Sequence, residues 1–220
     1  MTTERRIDHS TEWRRLHHGI DPARVPLLLP WLRAMWWLAR PLAAARVPPT
    51  AVTAAGVVLA VDAALLAHRY PWAAAGTVLL AALCDGLDGA VAVVGARATG
   101  YGAAADAIAD RIADAAFAAV LWRCGAPWGL ALACAAAALA IDLLRRVRHV
   151  PARITVGERP TWTICALLAG GSAAVTDADW PVLTCAAVWL AAGAVGIAQI
   201  ARPFQRSEPR RRSRSDRSVR

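Results

Sequence analysis

Six runs of apolar residues separated by short polar gaps dominate the chain, near 50–67, 72–92, 103–122, 126–144, 161–175 and 181–201. Most approach the ~20 residues that a helix needs to cross the hydrocarbon of a bilayer, and the fifth is short. The gaps read HRYP (68–71), VGARATGYG (94–102), RCGAP (123–127), RRVRHVPARITVGERP (145–160) and TDADWP (176–181). Ahead of the first run, residues 26–46 interleave Trp31, Met35, Trp36 and Leu38 with Arg33, Arg40 and Arg46. Charges at that density exclude a span, whereas Trp at headgroup depth and snorkelling Arg predict an amphipathic helix in the membrane interface, broken near Pro41. The pattern therefore predicts an all-α membrane protein, with six transmembrane helices preceded by an interfacial amphipathic helix. Residues 1–25 are expected to be a polar cytoplasmic extension, 47–202 the membrane domain, and 203–220 a disordered Arg/Ser-rich cytoplasmic tail.

Composition sharpens this layout. The chain is 57% apolar yet carries a formal charge of +9, so bulk hydrophobicity and basic charge must be segregated along it. Arg145, Arg146, Arg148, Arg153 and Arg159 fall in the fourth gap and Arg97 in the second, while the first and third gaps hold one Arg each and the fifth holds only Asp177 and Asp179. By the positive-inside rule the second and fourth gaps and both termini face the cytoplasm of an inner membrane. Tyr70, Trp72, Trp122, Trp128 and Trp180 then share the outer interface. The opening MTTERRIDHSTEWRR is too polar for a cleaved secretory signal. The Arg/Ser tail is expected to touch anionic lipid headgroups or to fix topology, not to bind nucleic acid. Cys84, Cys124, Cys134, Cys165 and Cys185 lie in or next to apolar runs without a CxxC pair, as small core residues do.

Asp85 and Asp88 stand at the cytoplasmic end of the second run, and Asp106 and Asp110 at the start of the third. Spacings of three and four residues put each pair on one helix face, and the short turn between the runs makes the two faces neighbours. Each carboxylate would cost roughly 2.5–3.5 kcal/mol at a span centre, less near the interface, and their mutual repulsion adds to that. Arg97 and Arg111 supply at most two compensating charges, and a hard divalent cation held by oxygen ligands supplies the rest. Asp114, one turn beyond Asp110, either extends the site or pairs with an Arg, and Asp142 has Arg145 and Arg146 within a turn.

The stretch D85-x2-D88-G89-x2-A92-V93-x8-G102-x3-D106-x3-D110 resembles the signature of the CDP-alcohol phosphatidyltransferase family, D-x2-D-G-x2-A-R-x8-G-x3-D-x3-D, with every spacing intact. Val93 stands where that family has Arg. Pro49 to Thr53 resembles the P-N-x-x-T element that opens the family's first span, with Thr50 replacing Asn. Glu158-Arg159 resembles the E-R-x-x-R segment of members that use phosphorylated acceptors, with Trp162 replacing the second Arg.

The resemblance implies an enzyme of phospholipid biosynthesis that transfers a phosphoalcohol group from a CDP-alcohol, CDP-diacylglycerol above all, to an alcohol acceptor with release of CMP. It implies Asp85, Asp88 and Asp106 as ligands of one or two Mg²⁺ or Mn²⁺ ions, Asp110 as catalytic base and further ligand, and Gly89, Ala92 and Gly102 as lining of the nucleotide pocket. Arg148, Arg153 and Arg159 are candidates for an acceptor phosphate, because clustered guanidinium groups suit one. Arg97, four residues after Val93, is expected to reach back and partly replace the missing family Arg. A second copy of the chain is a candidate partner. Two rival readings are a UbiA-like membrane prenyltransferase, whose aspartate motifs lie far apart in the chain, and a family member that has kept the scaffold without catalysis.

The topology carries its own test. Single-cysteine labels at Ser207 and at Thr176, in an otherwise cysteine-free chain, should react with an impermeant maleimide from opposite sides of the membrane; same-side labelling would break the six-span arrangement.

Overall fold

The structure, a computed structural model, describes residues 28–148 and 159–201. The expected extension at 1–25, the tail at 203–220, Arg153 and Glu158 lie outside the described residues. Everything described is helix or turn: α1 (Leu28–Ala44), α2 (Pro49–Leu66), α3 (Pro71–Val94), α4 (Gly100–Arg123), α5 (Trp128–Arg148), α6 (Arg159–Ala173) and α7 (Trp180–Ala201).

Proline sets many of the starts. Pro49 and Pro71 occupy first-turn positions of α2 and α3, where the missing N–H costs nothing and the fixed φ suits a helix. Thr99 opens α4 by accepting a hydrogen bond from the Gly102 N–H at 3.0 Å, so Gly102, expected in the loop, lies inside the first turn. Arg145, Arg146 and Arg148, expected in a gap, form the last turn of α5, where cations complement the helix dipole.

Pro41 does not break α1 as expected, since it lies inside a continuous helix. The bond it cannot donate would have gone to the carbonyl of Trp37, a residue 72% exposed, so the gap in the ladder faces outward. On the opposite side Met35 and Ala39 are buried against Ala90 and Val91 of α3. Gly86 permits this approach, because a Cβ there would meet Met35 Sδ and Trp31 Cζ2 at 3.1 Å.

Three helix ends close in the same way. After α1, α3 and α4, a residue with positive φ, Arg46 (58°), Ala96 (50°) or Gly125 (118°), lets the chain reverse. The next residue then donates back five positions: Val47 to Leu42, Arg97 to Ala92 and Ala126 to Leu121, at 2.8–2.9 Å. Only the third has the glycine that this conformation favours.

Helix α2 packs against both α3 and α4, α1 lies on α3, α6 sits against both α3 and α4, and α7 closes the bundle against α5 and α6; α3 and α4, expected to be direct neighbours across their short turn, are bridged by α2 and α6. The interior is built largely of alanine, with Ala60, Ala63, Ala74, Ala166 and Ala186 fully enclosed. Small side chains bring helix backbones close together, as helices in lipid require when no hydrophobic effect drives them together. Gly170 marks one such contact, where an added Cβ would lie 3.3 Å from the Ala75 backbone nitrogen. The few bulky core groups include Phe117, Leu121 and the stacked pair Trp162 and Trp189, whose ring centroids are 4.9 Å apart.

The outside is the reverse of a water-soluble surface. Leu65, Ile108, Leu132, Leu143, Ile164 and Leu168 are all more than half exposed. By length and composition alone α2, α3 and α7 are able to cross a membrane. Helix α4 carries the carboxylates, α5 ends in its Arg cluster, and α6 has 15 residues, but each turns apolar side chains outward.

Alternate turns gather at the two ends. Cys124 Sγ approaches the Ala67 carbonyl at 3.9 Å, and Asp179 lies over Gly125, so the first, third and fifth gaps share one end. Arg148 donates to the Ala201 carbonyl at 3.2 Å and Arg159 reaches Asp85, so the second and fourth gaps and the end of α7 share the other. The exposed Tyr70, Trp72, Trp122, Trp128 and Trp180 mark the first end and the arginines the second.

Candidate active site

At the Arg-rich end, Thr53 and Gly56 of α2, Asp85 and Asp88 of α3, Asp106, Asp110 and Ala113 of α4, and Arg159 of α6 line one cleft. Helix periodicity explains the convergence. Asp85 and Asp88 lie one turn apart on α3, Asp106 and Asp110 one turn apart on α4, and α2 and α6, each packed against both helices, hold the two pairs across one cleft.

One oxygen from each of Asp85, Asp106 and Asp110 lies within 4.8 Å of the others. The cleft leaves about 20 Å³ for the centre of a water-sized sphere among these side chains, room for a water or a bare ion. Three anionic oxygen donors around such a space fit a hard divalent cation.

Asp88 has a different setting. It is 6% exposed; its Oδ2 accepts from Thr53 Oγ1 at 2.6 Å and its Oδ1 from the Gly89 N–H at 2.6 Å. Both bonds favour the charged form and fix the carboxylate. The same hydroxyl oxygen lies 3.2 Å from the Pro49 carbonyl, in the first turn of α2. Within the P-x-x-x-T element, the threonine therefore holds an aspartate of the next helix, a contact over 35 positions that the sequence pattern does not reveal.

Cations come from two helices. Arg159 Nη1 donates to both Asp85 Oδ1 and Asp110 Oδ1, and its Nε lies 3.6 Å from Asp114 Oδ1. Arg111 places Nη1 3.2 Å from Asp114 and Nη2 3.7 Å from Asp110. Asp114, 4% exposed, is thus flanked by two guanidinium groups and joins the cluster as an ion-paired residue. Asp142 pairs with Arg146 at 2.8 Å, within its own helix as expected.

Arg97 does not join the carboxylates. The left-handed turn at Ala96 reverses the chain just before it, and its Nη1 donates to the Arg46 carbonyl at 2.9 Å. It links the α1–α2 and α3–α4 turns. Arg148 is likewise engaged, on Ala201 at the end of α7. Gly89 is exposed and an added Cβ there would meet nothing within 4 Å, which leaves its face open to a ligand. Ala92 and Gly102 are half-buried nearby on α3 and α4.

The sequence pattern of CDP-alcohol phosphatidyltransferases matches residues 46–198, a span that takes in this whole cleft. The chain belongs to the CDP-alcohol phosphatidyltransferase family. A phosphatidylinositol phosphate synthase of Mycobacteroides abscessus is 31% identical over 157 residues, covering 67% of this chain and 70% of that protein. The crystal structure of a Mycobacterium tuberculosis phosphatidylinositol phosphate synthase in complex with manganese and citrate superposes with a TM-score of 0.62 at 28% identity, over 75% of this chain and 86% of that one. The same enzyme with CDP-DAG bound gives 0.60 at 27%, over 76% and 90%. This family member is accordingly an integral membrane transferase of phospholipid synthesis, and the prenyltransferase alternative falls away.

The Thr53 clamp gives a direct test. Thr53→Val removes a hydrogen bond to a buried carboxylate worth ~1.5–3 kcal/mol and should lower CMP release about tenfold or more, while Thr53→Ser should keep most of the activity. Equal rates for parent and Val variant would show that Asp88 needs no such clamp.

Proposed function

We propose that this chain transfers the phosphatidyl group of CDP-diacylglycerol to the hydroxyl of a polyol acceptor and releases CMP at the inner leaflet of the cytoplasmic membrane. The observation that carries the reading is the close oxygen group of Asp85, Asp106 and Asp110 at one end of a lipid-facing bundle. A site at that depth suits a donor whose tails stay in the bilayer while its pyrophosphate and cytidine reach the aqueous side. Six crossings, α2 to α7, with α1 in the interface and both termini in the cytoplasm, agree with the Arg-rich and aromatic ends of the bundle.

A bound Mg²⁺ or Mn²⁺ would supply positive charge to the anhydride oxygens and to CMP as it departs. Asp85 and Asp106 would hold it, with Asp88, fixed by Thr53, and Asp110 completing the set. Asp110, deeper on the α4 stripe, would accept the proton of the acceptor hydroxyl as that oxygen attacks the distal phosphorus and the anhydride P–O bond breaks. Gly89, Ala92 and Gly102 would border the cytidine, with Gly89 allowing close approach to the backbone.

The names of the relatives make an inositol phosphate the first acceptor to try. Trp162 points the other way: it is 2% exposed and stacked inside the bundle, so this position offers no guanidinium to an acceptor phosphate. Arg153 and Arg159 remain the candidate phosphate ligands of the fourth gap, beside Arg148.

The test is CMP release by the full chain in nanodiscs containing CDP-diacylglycerol and Mn²⁺, with inositol, inositol phosphate, glycerol 3-phosphate and serine supplied separately. One acceptor should support turnover, and Asp85→Asn, Asp106→Asn and Asp110→Asn should each abolish it, the last with CDP-diacylglycerol still bound. No CMP from any acceptor would instead favour a member that retains the scaffold without catalysis.

A further inference from the structure

Arg159 occupies an unusual place, inside the group of carboxylates that fits a metal. Its Nη1 donates to Asp85 and Asp110, two of the three residues whose oxygens converge. A divalent cation binds such oxygens at ~2.0–2.1 Å and makes the same demand on them. A guanidinium that donates to Asp85 and Asp110 and a metal ion ligated by the same oxygens cannot both hold their full set of contacts.

Asp114 stands behind this arrangement. It lies one turn beyond Asp110 on α4, is 4% exposed, and its carboxylate faces Arg159 Nε at 3.6 Å and Arg111 Nη1 at 3.2 Å. It belongs to neither the close oxygen group nor the family signature. A buried carboxylate at this depth is costly unless paired, and it lies on the Nε side of Arg159, whereas Nη1 is the atom that reaches Asp85 and Asp110.

We propose that Arg159 and the divalent cation compete for Asp85 and Asp110, and that Asp114 is the positioning residue that tethers Arg159 beside the site whichever cation holds those carboxylates. The inference rests on the metal reading of the site given above. Exchange of one cation for the other keeps the clustered carboxylates compensated throughout, and it makes metal affinity a property of α6 as well as of α3 and α4.

Mn²⁺ binding to the full chain in nanodiscs, followed by the loss of the free-ion EPR signal, tests this without catalysis. Arg159→Ala should tighten binding about tenfold, a change of ~1.4 kcal/mol. Removing a nearby positive charge would also tighten binding through the field alone, so a second arm adds millimolar guanidinium chloride to the Ala variant. Guanidinium should weaken Mn²⁺ binding saturably and more than sodium chloride at equal ionic strength. Asp114→Asn should weaken Mn²⁺ binding in the parent, because the guanidinium then leans on Asp85 and Asp110 alone, and should do so less in the Arg159→Ala background. If the Ala variant does not fold, Arg159→Lys should still bind Mn²⁺ more tightly than the parent, since a single ammonium does not bridge as a guanidinium does. Unchanged affinity in the variant that folds, or guanidinium no more effective than sodium, would overturn the competition. An equal Asp114→Asn effect in both backgrounds would remove the tether. Absence of Mn²⁺ binding in parent and variants alike would overturn the metal reading beneath both.

Discussion

Carboxylates repel one another, and the repulsion grows as water is withdrawn. Here Asp85, Asp88, Asp106, Asp110 and Asp114 are gathered by α3 and α4 at one end of a bundle whose flanks expose leucine and isoleucine. Such a gathering persists only if most of its charge is compensated. Asp88 has the Thr53 hydroxyl and the Gly89 N–H, Asp114 has two guanidinium groups, and Asp85 and Asp110 share Arg159. Three helices thus meet α4 at the cleft: α2 through Thr53, α3 through its two aspartates and α6 through Arg159. The alanine interior serves this arrangement, because α2 and α6 pack closely against both α3 and α4 and so hold their aspartates across one cleft.

The helices were legible because each depends on local information. Apolar runs near the length of a span, with proline at their starts, place α2 to α7 within a few residues of where they lie. The ends were less so. Ala96 adopts a left-handed conformation that a reader of sequence assigns to glycine, and that turn carries Arg97 away from the site and onto Arg46. Pro41 reads as a helix breaker, yet its lost bond faces outward while Met35 and Ala39 keep α1 docked on α3. Within the site, Asp85, Asp106 and Asp110 follow from spacing alone. Thr53 on Asp88 and Arg159 on Asp85 join positions 35 and 74 residues apart, and no periodicity announces such pairs.

The departures from the family signature have local settings in this chain. Val93 removes a cation from the end of α3, and the cations that face the carboxylates come from α4 and α6 instead, as Arg111 and Arg159. Trp162 removes another and fills the core, stacked on Trp189 at an interplanar angle of 17° and passing close to Gly193. The four aspartates of the signature are kept while positions 93 and 162 depart from the family pattern.

Crystals of the full chain soaked in Mn²⁺ and recorded at the manganese absorption edge address the central claim, that the carboxylates of α3 and α4 form one cation site. An anomalous peak should lie about 2.1 Å from oxygens of Asp85, Asp106 and Asp110, the distance expected of a small hard cation. A peak outside this group, or none at a concentration that saturates binding in solution, would contradict it.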